Sequence, residues 1–467
     1  MMKTYGVVGL VAAMVWGGCA AFPAGNSWPR TSRLGRNIRA FRPKIGGGAG
    51  KRNEFSQPRG AITLQQALAA ALMNNPRLQA AAWEVRAREA ERLQAGLLPN
   101  PDLDVTAEGF GGSRVLRGVR EMELSVSVSQ LLWLGGQRAR RERLAAMQGR
   151  EAGWRYELER LAVLTETARA FITVVALQRL EDLTRKEERL VEKMVDMFQQ
   201  RSQAGRIARR DVGRLRVEVR LSRVRLRLDR IRGRLLVARK KLASTWGGKE
   251  VRFERAVGRL DSPGPFPKID AILEKVAESP KVKAWQARLE TRKAAVALAR
   301  AQAVPNLTVT GGVRVLPETG SVGMLVGLSL PLPIFDRNQG GIQAATFRVI
   351  QAREQVRSAR VEVATLVSQA HQRVVSAQAA LRRIDETILP KAEAALEGAL
   401  DAYREGKADY LTVLDAQRTV VQLRVESLGA RTELLQAVTD LEFLLGEPLR
   451  RTRSKKTGAE KRQGDEE

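Results

Sequence analysis

The sequence predicts a mainly α-helical chain with a small β part, internally duplicated, in which long coiled-coil hairpins join four alternating β-strands. Three observations lead there. Heptad spacing is sustained over long tracts, segments of about ten residues alternate apolar with polar positions, and a set of segments recurs in order about 200 residues later.

At 467 residues the chain is long enough that core size is not limiting. Only 5% of it is aromatic and 28% is charged, with Ala, Leu, Arg, Glu and Gln filling long tracts. That mixture favours long helices over a compact α/β enzyme. The formal charge of +29, from 80 Lys and Arg against 51 Asp and Glu, bears on partners and solubility rather than on fold. One cysteine, Cys19, and one histidine, His371, exclude a disulfide framework and a Cys/His metal cluster. The inventory offers no catalytic residue, cofactor site or metal ligand.

Residues 1–19 read as a signal peptide: Lys3, an apolar run from Tyr5 to Trp16, then small residues. "WGGC" resembles a lipoprotein signal with Cys19 as the acylated residue, although Trp16 stands where Leu is usual. The chain is therefore expected to be exported. No later segment reaches ~18 uninterrupted apolar residues, so no further helical span is expected. Residues 20–60, rich in Arg, Gly, Pro and Ser, read as a flexible lead-in. "IGGGAGKR" within them fails as a phosphate loop, because Ile45 takes the first Gly position and Arg52 replaces the Ser/Thr. Residues 449–467 read as a disordered charged tail.

Between these ends, residues 61–260 and 268–448 form two expected repeats. "NNPRLQAAAWEVRAREAERLQAGLLPNPDLDV" parallels "ESPKVKAWQARLETRKAAVALARAQAVPNLTV", and "SVSVSQLLWLGGQR" parallels "GLSLPLPIFDRNQG". Each copy reads as a helix, two strands and two long helices. Thr63 is placed to cap the first helix, with Gln66 three residues on. Val217, Leu221, Val224, Leu228, Ile231 and Leu235 alternate steps of four and three, a coiled-coil seam. Leu414, Val421, Leu428 and Leu435 fall at intervals of seven. A helix from about Trp154 to Gln203 would run on the order of 75 Å, which calls for an elongated bundle.

The strands alternate just as regularly. Met122, Leu124, Val126 and Val128 interleave with Glu123, Ser125, Ser127 and Ser129. Leu103 and Val105 interleave with Asp102 and Asp104, and Val322, Met324, Val326, Leu328 and Leu330 with Gly323, Gly327 and Ser329. Such segments suit a transmembrane β-barrel with lipid on one side and water on the other. They also suit a half-exposed antiparallel sheet in water. Four strands cannot close a membrane barrel, so the barrel reading requires several chains. In "LPLPIFDRNQG", Pro331 and Pro333 cannot donate to a ladder and release the strand. Asp336 is placed to cap the following helix, with Gln339 three residues on.

This combination resembles the TolC-like outer-membrane efflux family over residues 61–447. The carrying stretches are "ALMNNPRLQAA", "AGLLPNPDLDVTAEGFGG", "LSVSVSQLLWLGGQRAR", "LPLPIFDRNQGG" and "REGKADYLTVLDAQ". "GLLPNPDL" and "LPLPIFDRNQG" look most like its heavy-metal-efflux branch. The resemblance implies a homotrimer in outer-membrane lipid, a shared barrel of twelve strands and a periplasmic α-barrel. It also implies a periplasmic adaptor (membrane fusion) protein and an inner-membrane pump of the resistance-nodulation-division type as partners.

Gly205 and Gly406 interrupt long helical tracts and suit tight reversals between antiparallel helices. By resemblance these are periplasmic tips, with Gly205, Arg206, Gly406 and Lys407 where adaptors dock. Asp415 and Asp211 match tip carboxylates near the pore gate. Thr412 stands where a second ring carboxylate is often found, and Ala408 where a latch arginine can occur. Three carboxylates around a narrow axis would repel one another and attract cations.

From Arg201 to Arg259 there are 20 Lys and Arg against 5 Asp and Glu. A nucleic-acid-binding coiled coil would use such a helix. The export signal, the alternating strands and the lack of interleaved aromatics argue for no nucleic acid and for a solvated face or an anionic protein surface. The functional expectation is a passive outer-membrane conduit for small toxic solutes, heavy-metal cations among them, and not an enzyme. The alternative is an exported coiled-coil structural protein of the periplasm or cell surface without a channel.

Overall fold

The structure, a computed structural model, describes residues 27–29, 31–43, 57–113, 118–119, 121–203, 212–261, 264, 266–405 and 407–449. In chain order it contains β1 (Gly60–Ile62), α1 (Leu64–Asn74), α2 (Pro76–Ala95), β2 (Asp102–Glu108), β3 (Glu123–Leu132), α3 (Gln137–Gln203) and α4 (Val212–Ser244). There follow β4 (Phe253–Ala256), α5 (Ile269–Leu273) with a 3-10 turn (Glu274–Glu278), α6 (Pro280–Ala301), β5 (Leu307–Leu316) and β6 (Ser321–Ser329). The chain continues through α7 (Gln339–Arg383), a π-helical turn (Ile384–Ile388), α8 (Leu389–Arg404) and α9 (Tyr410–Leu445). It is mostly helical with a small sheet part. The expected long helix starts well before Trp154: α3 has 67 residues, about 100 Å at 1.5 Å per residue.

The described residues form two compact units. The first draws on residues 27–28, 87–150 and 294–344 and is built on an antiparallel sheet in the order β2-β3-β5-β6. Its register sets Val105 opposite Val126, Val126 opposite Val313 and Val313 opposite Met324. Because side chains alternate faces, the rows two residues away on either side of this one share its face. Leu103, Val128, Val322, Val326 and Leu328 are therefore on one apolar surface. Met324 is 92% exposed, Val326 80% and Leu328 72%. The other face carries Asp104, Ser127 and Thr310, and an ion pair of 3.0 Å from Arg314 to Glu123. Among the described residues no strand pairs with the outer edge of β2 or of β6.

Strand-to-helix turns in this unit are tied to α6. Gly135 has φ +65°, and a Cβ there would lie 2.9 Å from the Val304 side chain, so glycine is required. Gln137, which is buried, then donates to the Val304 carbonyl at 3.0 Å and to Asn306 at 2.9 Å. At the second turn β6 ends at Ser329, before Pro331 and Pro333. The expectation that Asp336 caps the next helix is not met. The helix begins at Gln339, and the Asp336 carboxylate accepts from the Asn338 N–H at 2.8 Å, a loop bond. Asn338 occupies the left-handed region at φ +54° and donates from its side chain to the Ala299 carbonyl at 2.7 Å. That contact, far away in sequence, fixes where the helix starts. Gln339 likewise turns back, donating to the Phe335 carbonyl and accepting from the Arg337 N–H.

The second unit draws on residues 29–86, 151–293 and 345–449. The capping box at α1 is formed: the Thr63 hydroxyl accepts from the Gln66 N–H and the Gln66 side chain from the Thr63 N–H. In α4 the expected seam is buried at Val217, Val224, Leu228, Ile231 and Leu235, with Leu221 half-buried. Helix α7 buries Ala345, Val349, Ala352, Val356, Ala359 and Val363 in steps of four and three, then takes an extra step of four to Val367. Such a stutter locally unwinds a coiled coil. Around it α7 packs with Leu434, Val438 and Leu441 of α9 and with Ile272. The most apolar window of α3 is 72% buried inside the protein, so its apolar content supplies core.

Part of the stretch read as a flexible lead-in is firmly held. Glu157 and Arg160, each with a side chain 1% exposed, form an ion pair at 2.8 Å. Glu157 accepts from the Ser32 N–H and Arg160 donates to the Leu34 carbonyl, while the Tyr156 hydroxyl donates to the Phe41 carbonyl. A buried pair needs this second set of hydrogen bonds to offset desolvation. The expected signal, residues 1–19, and all of the expected charged tail, residues 449–467, except Leu449 lie outside the described residues. Substituting Glu157→Gln leaves Arg160 buried without its counter-charge and should destabilise the protein by about 3–5 kcal/mol. Thermal denaturation of the detergent-solubilised protein measures this, and limited proteolysis near residue 40 should accelerate with it.

Candidate functional site at a helix tip

The described tip is the turn between α8 and α9. Helix α8 closes with the Glu405 N–H donating to the Asp401 carbonyl at 3.0 Å, and the Lys407 N–H reaches back to Ala402 at 2.8 Å. Asp409 is the N-cap of α9: its carboxylate accepts from the Thr412 N–H at 3.0 Å and from the Thr412 hydroxyl at 2.6 Å. The Thr412 hydroxyl and then the Thr412 N–H hold the Asp409 carboxyl below its ordinary range. Thr412 is thus occupied with capping. Lys407 is exposed and pairs with Glu405 at 2.7 Å.

Beneath the turn, Tyr403 and Tyr410 stack at a tilt with ring centroids 5.3 Å apart. Burial pushes the Tyr410 hydroxyl up to about 12; Tyr403 adds to the rise and Arg220 opposes it. The rings cover a small core in which Val191, Met194 and Val195 of α3 meet Val217 of α4 and Leu414 of α9. Arg220 of α4 donates to the Leu414 carbonyl at 3.1 Å and lies 3.7 Å from Glu187, which also pairs with Arg227 at 3.1 Å. The first turn of α9 is therefore bonded to α4 and packed against α3.

Asp415 lies one turn beyond Leu411 and is exposed. Its backbone carbonyl accepts from the Thr419 hydroxyl at 3.0 Å, and its carboxylate has no hydrogen bond or ion pair among the described residues. Asp211, Gly205, Arg206, Gly406 and Cys19 lie outside the described residues. Ala408 contributes a backbone bond to Ala402. His371 is half-buried, 3.4 Å from the Pro267 carbonyl. Among the described residues no cluster of three or more His, Cys, Asp or Glu could hold a metal ion. The reading of sequence alone missed Asp409, the two tyrosines and Arg220. The Asp-x-x-Thr spacing was the available signal for the cap.

Two stretches, residues 67–248 and 272–447, match the pattern of the family described as Outer membrane efflux protein. The chain belongs to the outer membrane efflux protein family. It is an efflux channel protein of the outer membrane. The cobalt-zinc-cadmium resistance protein CzcC of Cupriavidus metallidurans is 30% identical over 387 residues, 83% of this chain and 90% of that protein. The nickel and cobalt resistance protein CnrC of the same species is 32% identical over 306 residues, 64% of this chain and 69% of that protein. In fold the efflux protein is similar to the open-state MtrE outer membrane channel of Neisseria gonorrhoeae, with a TM-score of 0.68 at 19% identity, covering 88% of this chain and 98% of that one.

The efflux protein's cap gives a pH signature. A carboxylate whose pKa is lowered on folding stabilises above its unfolded pKa, and the contribution is lost as pH falls through the folded value. Hydrogen exchange at the Thr412 amide should therefore stay slow through the ordinary carboxylate range, near about 3.9, and quicken only below it. In Asp409→Ala exchange should already be fast at neutral pH.

Proposed function

We propose that this efflux protein is one third of a homotrimeric passive conduit. Each chain supplies β2, β3, β5 and β6 to a twelve-stranded barrel in outer-membrane lipid, and its long helices to a periplasmic α-barrel. The single observation that carries the barrel is the exposed apolar face of the sheet, centred on Met324, between two edges without strand partners among the described residues. Backbone groups at an open edge cannot be satisfied in lipid, so the edges must be closed by strands of other copies. Residues 61–260 and 268–448 act as two structural repeats, with "LPLPIFDRNQG" as the strand-to-helix junction of the second and Cys19 as a lipidation site.

The helix tips, with Gly205, Arg206, Gly406 and Lys407, dock a periplasmic adaptor that connects to an inner-membrane pump of the resistance-nodulation-division type. The cargo is a heavy-metal cation, supported by the metal resistances in the names of CzcC and CnrC. A conduit carries out no bond chemistry and need not bind its cargo, so no resident cofactor is required. Asp415, whose carboxylate is exposed and has no partner among the described residues, lies at the pore gate, where three copies form an anionic ring; Asp211 contributes from the other tip. Such a ring repels itself at a constriction and concentrates cations.

Planar-bilayer recordings test this. Asp415→Ala should raise conductance and weaken block by multivalent cations, while an unchanged conductance and block would remove Asp415 from the gate.

A further inference from the structure

Helices α3 and α9 present two different sides. On one, Leu164 and Phe171 of α3 and Leu435 and Val438 of α9 line a small cavity together with Leu34 and with Leu64 of α1. About half a turn round each helix, Glu166, Arg169, Gln436 and Asp440 lie on the other side. There α3 and α9, joined by α4 and α7, wall a second cavity of 740 Å³. Part of its lining is apolar, from Leu366, Phe443 and Leu444. Its charged side chains are Glu166, Arg169, Lys241, Arg373 and Asp440.

Those charges do not balance within the cavity. Asp440, with a side chain 14% exposed, accepts from Arg373 at 3.0 Å and pairs with Arg169 at 3.3 Å. One carboxylate thus holds two guanidinium groups side by side. Each guanidinium carries five N–H donors, and neither has a second ion pair among the described residues. Glu166 is already engaged by Arg77, 3.2 Å away and not part of the cavity wall. Lys241 of α4 is exposed and has no ion pair among the described residues. At the cavity's edge the Thr165 hydroxyl is buried without a hydrogen-bond partner among the described residues, which native interiors seldom allow. The cavity therefore offers cationic and neutral donors in excess of the acceptors on its own walls.

We propose that this cavity binds a small polyvalent anion whose charge sits on carboxylate or phosphate oxygens. Planar guanidinium groups match such oxygens in pairs, and Asp440 orders two of them before the ligand arrives. Lys241, reaching in from α4, takes a further anionic group. A monovalent anion engages only part of this set, whereas a polyvalent one spans it. The role follows from position. Both α4 and α7, which flank α3 and α9, reach the cavity, so the layer of four helices is concave on that side. On the conduit reading, on which this role rests, the concave side of a layer that closes into a barrel faces the pore. Unmatched cations on a pore wall hold a metal cation back. A bound anion reverses the local charge and lets the metal cation pass, so the cavity is a counter-charge site.

Isothermal titration calorimetry of the detergent-purified full-length protein with citrate, inorganic pyrophosphate and acetate tests the site. Citrate or pyrophosphate should bind, acetate should bind about tenfold or more weakly, and the tighter of the first two identifies the oxygen chemistry. Lys241→Gln and Arg373→Gln should each weaken the tighter anion by about tenfold or more. Lys241 has no ion pair to lose, so its variant keeps the fold. Arg216→Gln, at an exposed position of α4 outside the cavity, should leave binding unchanged. Equal weakening by Arg216→Gln would make the attraction a general effect of the chain's positive charge and overturn the proposal. No binding to the wild type, or wild-type affinity in both cavity variants, also overturns it. Reversal potentials in planar bilayers under a potassium chloride gradient test the role separately. The tighter anion should shift the wild-type channel toward cation selectivity and leave the doubly substituted Lys241→Gln, Arg373→Gln channel unmoved. Binding without that shift keeps the site and overturns the counter-charge role. Absence of any channel current overturns the conduit reading and leaves the calorimetric result standing.

Discussion

An antiparallel sheet with one apolar face and two open edges is a demanding object. In water, the face built on Leu103, Val126, Val313 and Met324 would be a large exposed patch, and the outer edges of β2 and β6 would be templates for aggregation. In lipid the face is satisfied, but every unpaired backbone group then costs several kcal/mol. Both costs disappear only when the sheet sits in hydrocarbon and its edges meet other strands. On the proposed barrel reading, the alternation of residues on four short strands accounts for both a solvent and a stoichiometry greater than one.

The helical part follows the same logic by different means. Its seams mix alanine and valine with leucine, so long helices lie close together without a bulky core, as in the Ala345–Val363 run of α7. Where seams end, small polar devices take over: the Asp409–Thr412 cap, the Arg220 bond to Leu414, and the tyrosines beneath the turn. These give the α8–α9 tip a defined shape while leaving Asp415 unoccupied. Among the described residues its carboxylate has no partner, which is what the proposed gate role asks of it.

Much of the fold was legible because it is periodic. Strand alternation has few exceptions, the α4 seam holds its spacing for three heptads, and the Thr63–Gln66 box needs only two residues at a fixed interval. What could not be read depended on partners far away in sequence. Asp336 fits the pattern of a cap, but the Asn338 contact to Ala299 decides the helix start. Glu157 and Arg160 look like any surface pair three residues apart; their burial under residues 31–43 is a tertiary fact. At the tip, Asp415 and Thr412 were singled out by resemblance, whereas Asp409 emerged from geometry.

The most direct test of this account is solvent exposure along β6. Single cysteines at positions 322–329, in a chain without Cys19, can be spin-labelled after reconstitution in bilayers and probed with lipid-soluble oxygen and a water-soluble relaxant. The account predicts a period of two: labels replacing Val322, Met324, Val326 and Leu328 respond to oxygen, and those at Gly323, Leu325 and Gly327 respond to the aqueous reagent. Equal aqueous accessibility on both faces would contradict it.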